Sequence, residues 1–264
     1  MYPDMTHHTL PLPDGCRLHY AMRANGADTT VLLIHGALCD ASSLLPVGAA
    51  VAGVNLLLPD LRGHGASTTA ATPWSLDLLA QDMLALVAAT PVNRLIVVGE
   101  SFGALVAARM AERVTLLICS EPPLSPARLL AVRAAIESAC QAGTHQGAHG
   151  LANILGYSRA GMVASEAVTF HHLMRSLSVP TILLHGTAGT GAFATVLDRH
   201  DLDQLASQPA LQCLAVPGAD HLVLRDWGSC LLRALLHGDG AATVTSPKVY
   251  PPHSDTSPVQ FQRL

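Results

Sequence analysis

The stretch Leu95-Ile-Val-Val-Gly-Glu-Ser-Phe-Gly103 decides the fold. Its apolar, branched start, Leu95–Val98, predicts a strand, and a helix is predicted from Phe102 to Ala111. The glycines in Gly99-Glu-Ser-Phe-Gly103 permit a sharp turn between the two elements. The Ser101 hydroxyl is therefore expected at a helix N-terminus, where the helix dipole favours a developing negative charge. A glycine-rich turn without catalytic role is the alternative interpretation.

Five further runs are short, continuous and apolar like Leu95–Val98. Continuous rather than alternating runs are typical of strands buried on both faces, as in a parallel sheet covered by helices. The runs are Val31–Ile34, Asn55–Leu58, Val114–Ile118, Thr181–Leu184 and Leu211–Val216. Helical patterns such as Ser75–Ala89 alternate with them. This alternation predicts an α/β fold with a mostly parallel central sheet of about eight strands flanked by helices.

The first segment of the chain predicts a different pairing of strands. Thr9–Leu12 and Arg17–Ala21 flank the turn Pro13-Asp-Gly15, which indicates an antiparallel hairpin that opens the sheet. The hairpin supplies the two strands that bring the expected number to eight.

The middle of the chain predicts a helical insertion. Residues 123–179 contain no good strand, and helices are predicted at Ala127–Ala142 and Met162–Leu177, separated by Gly143–Gly150. Such a segment would form a cap, or lid, over the strand ends. The domain prediction that follows is a core of residues 1–122 and 180–238, a helical cap of residues 123–179, and an extended or disordered tail of residues 239–264.

Composition excludes several classes of protein. Only 13% of the 264 residues are charged, against roughly 25% in ordinary domains. Even so, the longest run free of charged residues, His, Asn and Gln is Ala41–Val54, which is shorter than the roughly 18 apolar residues of a membrane span. A formal charge of −4 with one lysine, Lys248, leaves no basic surface for nucleic acid.

The six cysteines indicate a reducing compartment. They are scattered and form no C-x-x-C pair, which predicts reduced thiols in a cytoplasmic protein. No basic segment followed by an apolar one stands at the start, so no secretory signal is expected. One large domain, as a monomer or homodimer, is the expectation for this length.

Two further loops lie at the ends of predicted strands. Ile34-His-Gly-Ala37 ends one strand, and Pro59-Asp-Leu-Arg-Gly-His-Gly65 ends the next. Together with Gly99–Gly103, these motifs make the chain resemble the α/β-hydrolase fold family over residues 6–237. The resemblance implies an oxyanion hole formed by the backbone N–H groups of Ala37 and Phe102. His35 and His64 are interpreted as residues that order their loops.

A serine hydroxyl is a poor nucleophile until a base accepts its proton. In the family this base is a histidine in the loop after the last strand, and Val216-Pro-Gly-Ala-Asp-His221 fits that position. Of the 14 histidines, only His221 lies there. It is therefore predicted as the general base for Ser101.

The acid that orients the histidine departs from the common pattern of the family. Most members place an Asp shortly after the His-Gly of the penultimate strand, but His185–Ala192 holds no carboxylate. Glu121, in Cys119-Ser-Glu-Pro-Pro123 after the sixth strand, is the preferred acid, with Asp198 as the alternative. A loop-stabilising role for Glu121 stays open. Zearalenone-type lactone hydrolases, a subset of the family, are similar in placing their acid here.

The other carboxylate near the serine, Glu100, is predicted to point away from Ser101 as a supporting or surface group. No metal is expected, because no histidine pair has the spacing of metal ligands. No cofactor is expected, because the sequence contains no phosphate-binding loop.

The resemblance implies a serine hydrolase that cleaves a small-molecule carboxylic ester or lactone through Ser101, His221 and Glu121. Thioester cleavage, carbon–carbon bond hydrolysis and acyl transfer with cyclisation could use the same three residues. A ligand-binding protein without catalytic activity is the alternative from a different class.

Overall fold

The computed structural model describes residues 4–126, 129–157, 168–188 and 194–237. Its centre is an eight-stranded sheet with the order β1-β2-β4-β3-β5-β6-β7-β8. The strands are β1 (Thr6–Pro11), β2 (Arg17–Arg23), β3 (Thr29–Ile34), β4 (Asn55–Pro59), β5 (Arg94–Glu100), β6 (Leu116–Ser120), β7 (Thr181–Gly186) and β8 (Leu211–Val216). The pairs β1–β2 and β2–β4 are antiparallel and the other five pairs are parallel, so the predicted hairpin and the mostly parallel sheet are confirmed.

Eight helices accompany the sheet in the described ranges. They are α1 (Leu45–Ala49), α2 (Leu76–Ala88), α3 (Phe102–Ala108), α4 (Leu130–Ala142), α5 (Ala148–Ile154), α6 (His171–Arg175), α7 (Arg199–Leu205) and α8 (Val223–His237). The start of α2 follows from the sequence, because the Ser75 hydroxyl accepts a hydrogen bond from the Leu78 N–H and caps the helix. No helix in these ranges is long and apolar enough to cross a bilayer.

The central strands are buried on both faces, as their continuous apolar runs predict. In β3, Leu32 and Ile34 pack into the core that includes α2 and α3, while Val31 and Leu33 pack into the core on the opposite face with α1 and α8. The same prediction is wrong for β8. This strand forms the edge of the sheet, where Leu211, Cys213 and Ala215 on one face are only half-buried and Gln212 at the start of the other face is exposed.

Between β6 and β7, the described residues form three α-helices, α4, α5 and α6, joined by irregular segments, and they contain no strand. The helix predicted over Met162–Leu177 is wrong at residues 168–170, because the Phe170 N–H donates to the Leu124 carbonyl and α6 begins only afterwards. Likewise, α5 begins inside Gly143–Gly150, the segment predicted as a separator. Residues 127–128 and 158–167 of the two predicted helices lie outside the described residues. The cap boundaries stay a prediction, and the predicted tail, residues 239–264, also lies outside.

The start of α5 contacts the core through glycines. The Gly147 N–H donates to the Gly63 carbonyl at 3.0 Å, and a Cβ on Gly150 would lie 2.1 Å from the Trp74 ring. Gly147, which precedes α5, and Gly150 within it therefore allow the backbone to lie directly against the loop after β4 and against the indole. This contact holds the helical segment beside the carboxyl ends of the strands.

A second close approach brings α3 against the sheet. A Cβ on Gly103 would lie 2.3 Å from the Ile34 carbonyl oxygen and 2.5 Å from that of His35, and one on Gly99 would lie 2.4 Å from the Gly103 carbonyl oxygen. These neighbours are backbone atoms, which cannot rotate away. Glycine is therefore required at both positions for the helix to start where it does.

We expect Gly103→Ala to lower the free energy of unfolding by about 3 kcal/mol, because overpacking against backbone cannot be relieved by a change of rotamer. Gly36→Ala is the matched control, since its Cβ would make an ordinary 3.5 Å contact with the Ser101 Cβ. Urea unfolding of both variants checks this. Equal midpoints for the two variants would contradict it.

Candidate active site

Ser101 lies between β5 and α3 in a strained backbone conformation. Its φ of 53° is in the left-handed region that residues other than glycine rarely adopt. The residue is held there because its N–H donates to the Ser120 carbonyl at 2.8 Å, which continues the hydrogen bonding of β5 with β6. Only 6% of Ser101 is exposed. The turn therefore presents the hydroxyl from a rigid support.

His221 contacts the serine from the loop between β8 and α8. Its Nε2 lies 2.9 Å from the Ser101 Oγ, and the histidine is buried. Since a hydroxyl donates to an unprotonated ring nitrogen, this contact fits a neutral imidazole that carries its proton on Nδ1. Among the described residues, no atom forms a hydrogen bond with Nδ1, and the Glu121 Oε2 lies 3.5 Å from it.

Glu121 follows β6 directly and is fully buried. Its backbone φ is 47°, and its N–H donates to the Leu184 carbonyl of β7 at 2.9 Å. The carboxylate accepts three further hydrogen bonds, from the Gly186 N–H at 2.6 Å, the Thr195 hydroxyl at 2.6 Å and the Val196 N–H at 2.7 Å. These donors fix the carboxylate so that Oε2 faces His221.

The structure thus brings Ser101, His221 and Glu121 together, although they are distant in sequence. It does not do so for Asp198, the alternative acid. The Asp198 side chain accepts the Asp201 N–H at 2.9 Å and caps the N-terminus of α7. Sequence reasoning did not identify Thr195 and Val196, because neither residue stands in a motif.

The two predicted oxyanion donors flank the serine. Phe102 is the first residue of α3, and the first N–H groups of a helix have no acceptor within the helix. Ala37 follows Gly36, whose Cβ position would be 3.5 Å from the Ser101 Cβ. The next residue, Leu38, has a φ of 59°. The loop after β3 therefore runs beside the serine in a second strained conformation.

His35 and Asp60 connect the loops after β3 and β4. The Leu61 N–H donates to His35 Nε2 at 3.0 Å, which agrees with the interpretation of His35 as a loop-ordering residue. Burial lowers the pKa of His35, so the ring is neutral. The buried Asp60 carboxylate accepts hydrogen bonds from the Ala41 N–H in the loop after β3 and from the Ala66 N–H in the loop after β4.

His64 is buried beside His35, with ring centroids 5.1 Å apart, and burial lowers its pKa to about 3. Its Nδ1 lies 3.0 Å from the Arg62 carbonyl oxygen. In the described ranges, no three His, Cys, Asp or Glu side chains are grouped so that they could hold a metal ion.

A cavity of about 750 Å³ lies between β7, β8 and α7. Its walls include Leu197, Leu205 and Cys213, but none of Ser101, His221 and Glu121 lines it. Gly186, which donates to Glu121, is part of the wall. This cavity therefore borders the residues that support the Glu121 carboxylate.

Glu100 is predicted as a supporting or surface group, and the structure excludes the surface alternative. Its side chain is buried, with 4% of the residue exposed. Burial raises the pKa of Glu100 to about 7, against lowering contributions from the nearby charges of His221 and Arg225. The sequence holds no signal for this burial, because it depends on the packing of α8 against the loop that carries Ser101.

A family model described as the Alpha/beta hydrolase family matches residues 31–236. The chain belongs to the alpha/beta hydrolase family. No curated protein sequence matches the chain significantly.

Several solved structures share the fold of this chain at low sequence identity. A thioesterase domain from the curacin biosynthetic pathway is 18% identical with a TM-score of 0.62, covering 89% of this chain and 99% of its own. An esterase from Pyrococcus furiosus is 17% identical with a TM-score of 0.63, and the alignment covers 88% of this chain and 91% of the esterase. An N-acyl homoserine lactonase is 16% identical with a TM-score of 0.65, and the alignment covers 89% of this chain and 96% of the lactonase. At such identities the likeness shows the fold alone.

The raised pKa of Glu100 predicts a pH-dependent stability. The folded pKa of about 7 lies above the value of 4.5 expected for an unfolded glutamate, so the folded state retains a proton that the unfolded state loses as the pH rises between them. Stability is therefore lost across that window, by up to about 3 kcal/mol. The free energy of unfolding of Glu100→Gln, minus that of the unmodified chain, should therefore rise by that amount as the pH is raised from 4.5 to 8.

Urea unfolding at several pH values measures this difference, and subtraction of the two proteins removes the titration of all other groups. Glu112→Gln, which changes an exposed glutamate, is the control. A difference between Glu100→Gln and the unmodified chain that does not change with pH would contradict the raised pKa.

Proposed function

We propose that this alpha/beta hydrolase cleaves a carboxylic ester or lactone with Ser101 as nucleophile, His221 as general base and Glu121 as the acid that orients His221. The observation that carries the proposal is the 2.9 Å contact between the Ser101 Oγ and the His221 Nε2 at a strained, buried turn. A hydroxyl in this contact can transfer its proton to the imidazole as it attacks a carbonyl carbon.

Glu121 fits the role of the acid by chemistry as well as by position. Its Oε2 faces His221 Nδ1 at 3.5 Å, a distance that shortens when the ring becomes a cation, since catalytic hydrogen bonds are often long without substrate. Its strained φ of 47° also supports a functional role over a purely loop-stabilising one, because strain of this kind clusters at active sites. The zearalenone-type subset places its acid similarly.

The reaction proceeds in two steps. Ser101 attacks the carbonyl carbon, His221 takes its proton, and the backbone N–H groups of Ala37 and Phe102 stabilise the resulting oxyanion. His221 then protonates the leaving alcohol, which departs and leaves an acyl-enzyme on Ser101. Water, deprotonated by His221, attacks the acyl group and releases the acid, and the serine recovers its proton.

Serine at the turn, rather than aspartate, supports acyl chemistry. The alternative reactions of thioester cleavage, carbon–carbon hydrolysis and acyl transfer use the same three residues, so they differ in substrate and not in the arrangement described. A substrate panel therefore belongs to the first experiment. It should contain p-nitrophenyl esters of increasing acyl length, simple lactones and acyl thioesters.

We expect the unmodified protein to release p-nitrophenol and to be labelled on Ser101 by a fluorophosphonate probe. Ser101→Ala should abolish labelling and lower kcat/KM by roughly 10⁴-fold or more, because the triad acts as a unit. Glu121→Gln should lower kcat roughly 10²- to 10⁴-fold, since an amide cannot stabilise the imidazolium.

Asp198→Asn is the matched control for Glu121→Gln, since an asparagine can also cap α7. It should retain near-normal activity. A nearly active Glu121→Gln beside an inactive Asp198→Asn would assign the acid to Asp198. Absence of both labelling and turnover across the panel would identify a ligand-binding protein instead of an enzyme.

A further inference from the structure

Asp201, in the first turn of α7, is a fully buried aspartate. Its Oδ1 lies 2.6 Å from the Nε2 of His171, the first residue of α6, which is buried as well. Because a carboxylate only accepts hydrogen bonds, the ring nitrogen carries the proton in this contact. A buried pair of this kind contributes little net stability over an apolar pair of similar volume. Stability alone therefore does not account for it.

Two further hydrogen bonds connect Asp201 with segments that adjoin Glu121. The Ser125 hydroxyl donates to Oδ1 at 3.3 Å, and the Asp198 N–H donates to Oδ2 at 3.1 Å. Ser125 follows Glu121 along the chain, and Asp198 follows Val196. Since the Val196 N–H donates to Glu121, Asp201 binds both segments close to the point where they already meet.

The chain from Thr195 to Asp198 is held between two carboxylates. At its start the Thr195 hydroxyl and the Val196 N–H donate to Glu121 at 2.6 Å and 2.7 Å. At its end the Asp198 N–H donates to Asp201, and α7 begins at the next residue. The position of this short segment relative to α7 is therefore set by the Asp201 side chain.

The contact with Val196 bears directly on the proposed acid. The Glu121 oxygen that accepts from the Val196 N–H is Oε2, the same atom that faces His221 at 3.5 Å. A shift of Val196 would move this oxygen relative to the imidazole. A displacement of about 1 Å at a catalytic group, caused by a residue far from the chemistry, can cost roughly 100-fold in rate.

We propose that Asp201 is a positioning residue for Glu121. Its carboxylate fixes the backbone of residues 195–198, so that the Val196 N–H holds Oε2 toward the general base. His171 keeps the Asp201 carboxylate in place, and it thereby connects the helical segment between β6 and β7 with the acid. This inference rests on the proposed function, because in it Asp201 acts only through Glu121.

The first test measures kcat of Asp201→Asn on a p-nitrophenyl ester, expressed per site labelled by the fluorophosphonate probe so that unfolded protein is not counted. An asparagine amide donates where a carboxylate oxygen accepts, so it cannot reproduce the contacts of Asp201. We expect kcat to fall roughly 10- to 100-fold. Asp203→Asn, which changes an exposed aspartate of the same helix, is the matched control and should stay within about twofold. An unchanged kcat in Asp201→Asn would overturn the proposal.

A double-mutant cycle separates positioning from a general packing defect. In the Glu121→Gln background, Asp201→Asn should lower kcat by less than about twofold, because the group that it positions is already inactive. A loss by the same factor in both backgrounds would overturn the proposal, since a packing defect acts independently of Glu121.

His171 supplies a second pair of variants for the case in which Asp201→Asn folds poorly. His171→Gln keeps an N–H donor for the Asp201 carboxylate, whereas His171→Leu removes it and leaves that contact unmade. We expect His171→Gln to retain most of kcat per labelled site and His171→Leu to lose roughly tenfold or more. Equal values of kcat for the two variants would contradict the role of His171.

Amide hydrogen exchange, followed by NMR, tests the same connection without substrate. Asp201→Asn should raise the exchange rate of the Val196 amide by roughly tenfold or more relative to the Val97 amide in the middle of β5. Equal acceleration of both amides, or none, would overturn the proposal. If no compound of the panel is cleaved but Val196 responds selectively, the proposed function fails, while the connection between Asp201 and the support of Glu121 stands.

Discussion

The backbone contact between the start of α3 and the ends of β3 and β5 is the constraint on which the site depends. With no side chain at Gly99 or Gly103, the helix begins immediately after the strand and its first turn lies against the Ile34 and His35 carbonyls. Any larger residue would displace the helix. The position of Ser101, the direction of the α3 N–H groups and the distance to the loop after β3 all follow from this approach.

The remaining parts of the site follow from parallel strand order. Because parallel neighbours end at the same edge of the sheet, the residues that follow β3, β5, β6 and β8 meet there. Backbone hydrogen bonds extend the sheet by one residue beyond β5 and β6, through the N–H groups of Ser101 and Glu121. A serine and a carboxylate from neighbouring strands are thereby fixed relative to each other before any side-chain contact forms.

How much the sequence predicts depends on the range of the interaction involved. The buried strands, the opening hairpin and the turn at Ser101 are encoded in local patterns, and the predictions for them agree with the structure. The prediction that β8 is buried on both faces is wrong, because the apolar content of a strand does not show whether it lies at the edge of the sheet. The non-helical residues 168–170 follow from a hydrogen bond to Leu124, and the burial of Glu100 follows from the packing of α8. Neither contact leaves a local signal in the sequence.

The strained residues have a consequence for selection. Among the described residues, three outside glycine have positive φ, namely Leu38, Ser101 and Glu121, and all three lie in the loops around the serine. Conformations of this kind cost roughly 1–3 kcal/mol each. Glycine adopts them freely, so a chain that replaced its serine by glycine would gain heat resistance as it lost its hydroxyl. Laboratory evolution that selects for thermal stability alone would therefore favour inactive variants. Activity has to be selected together with stability.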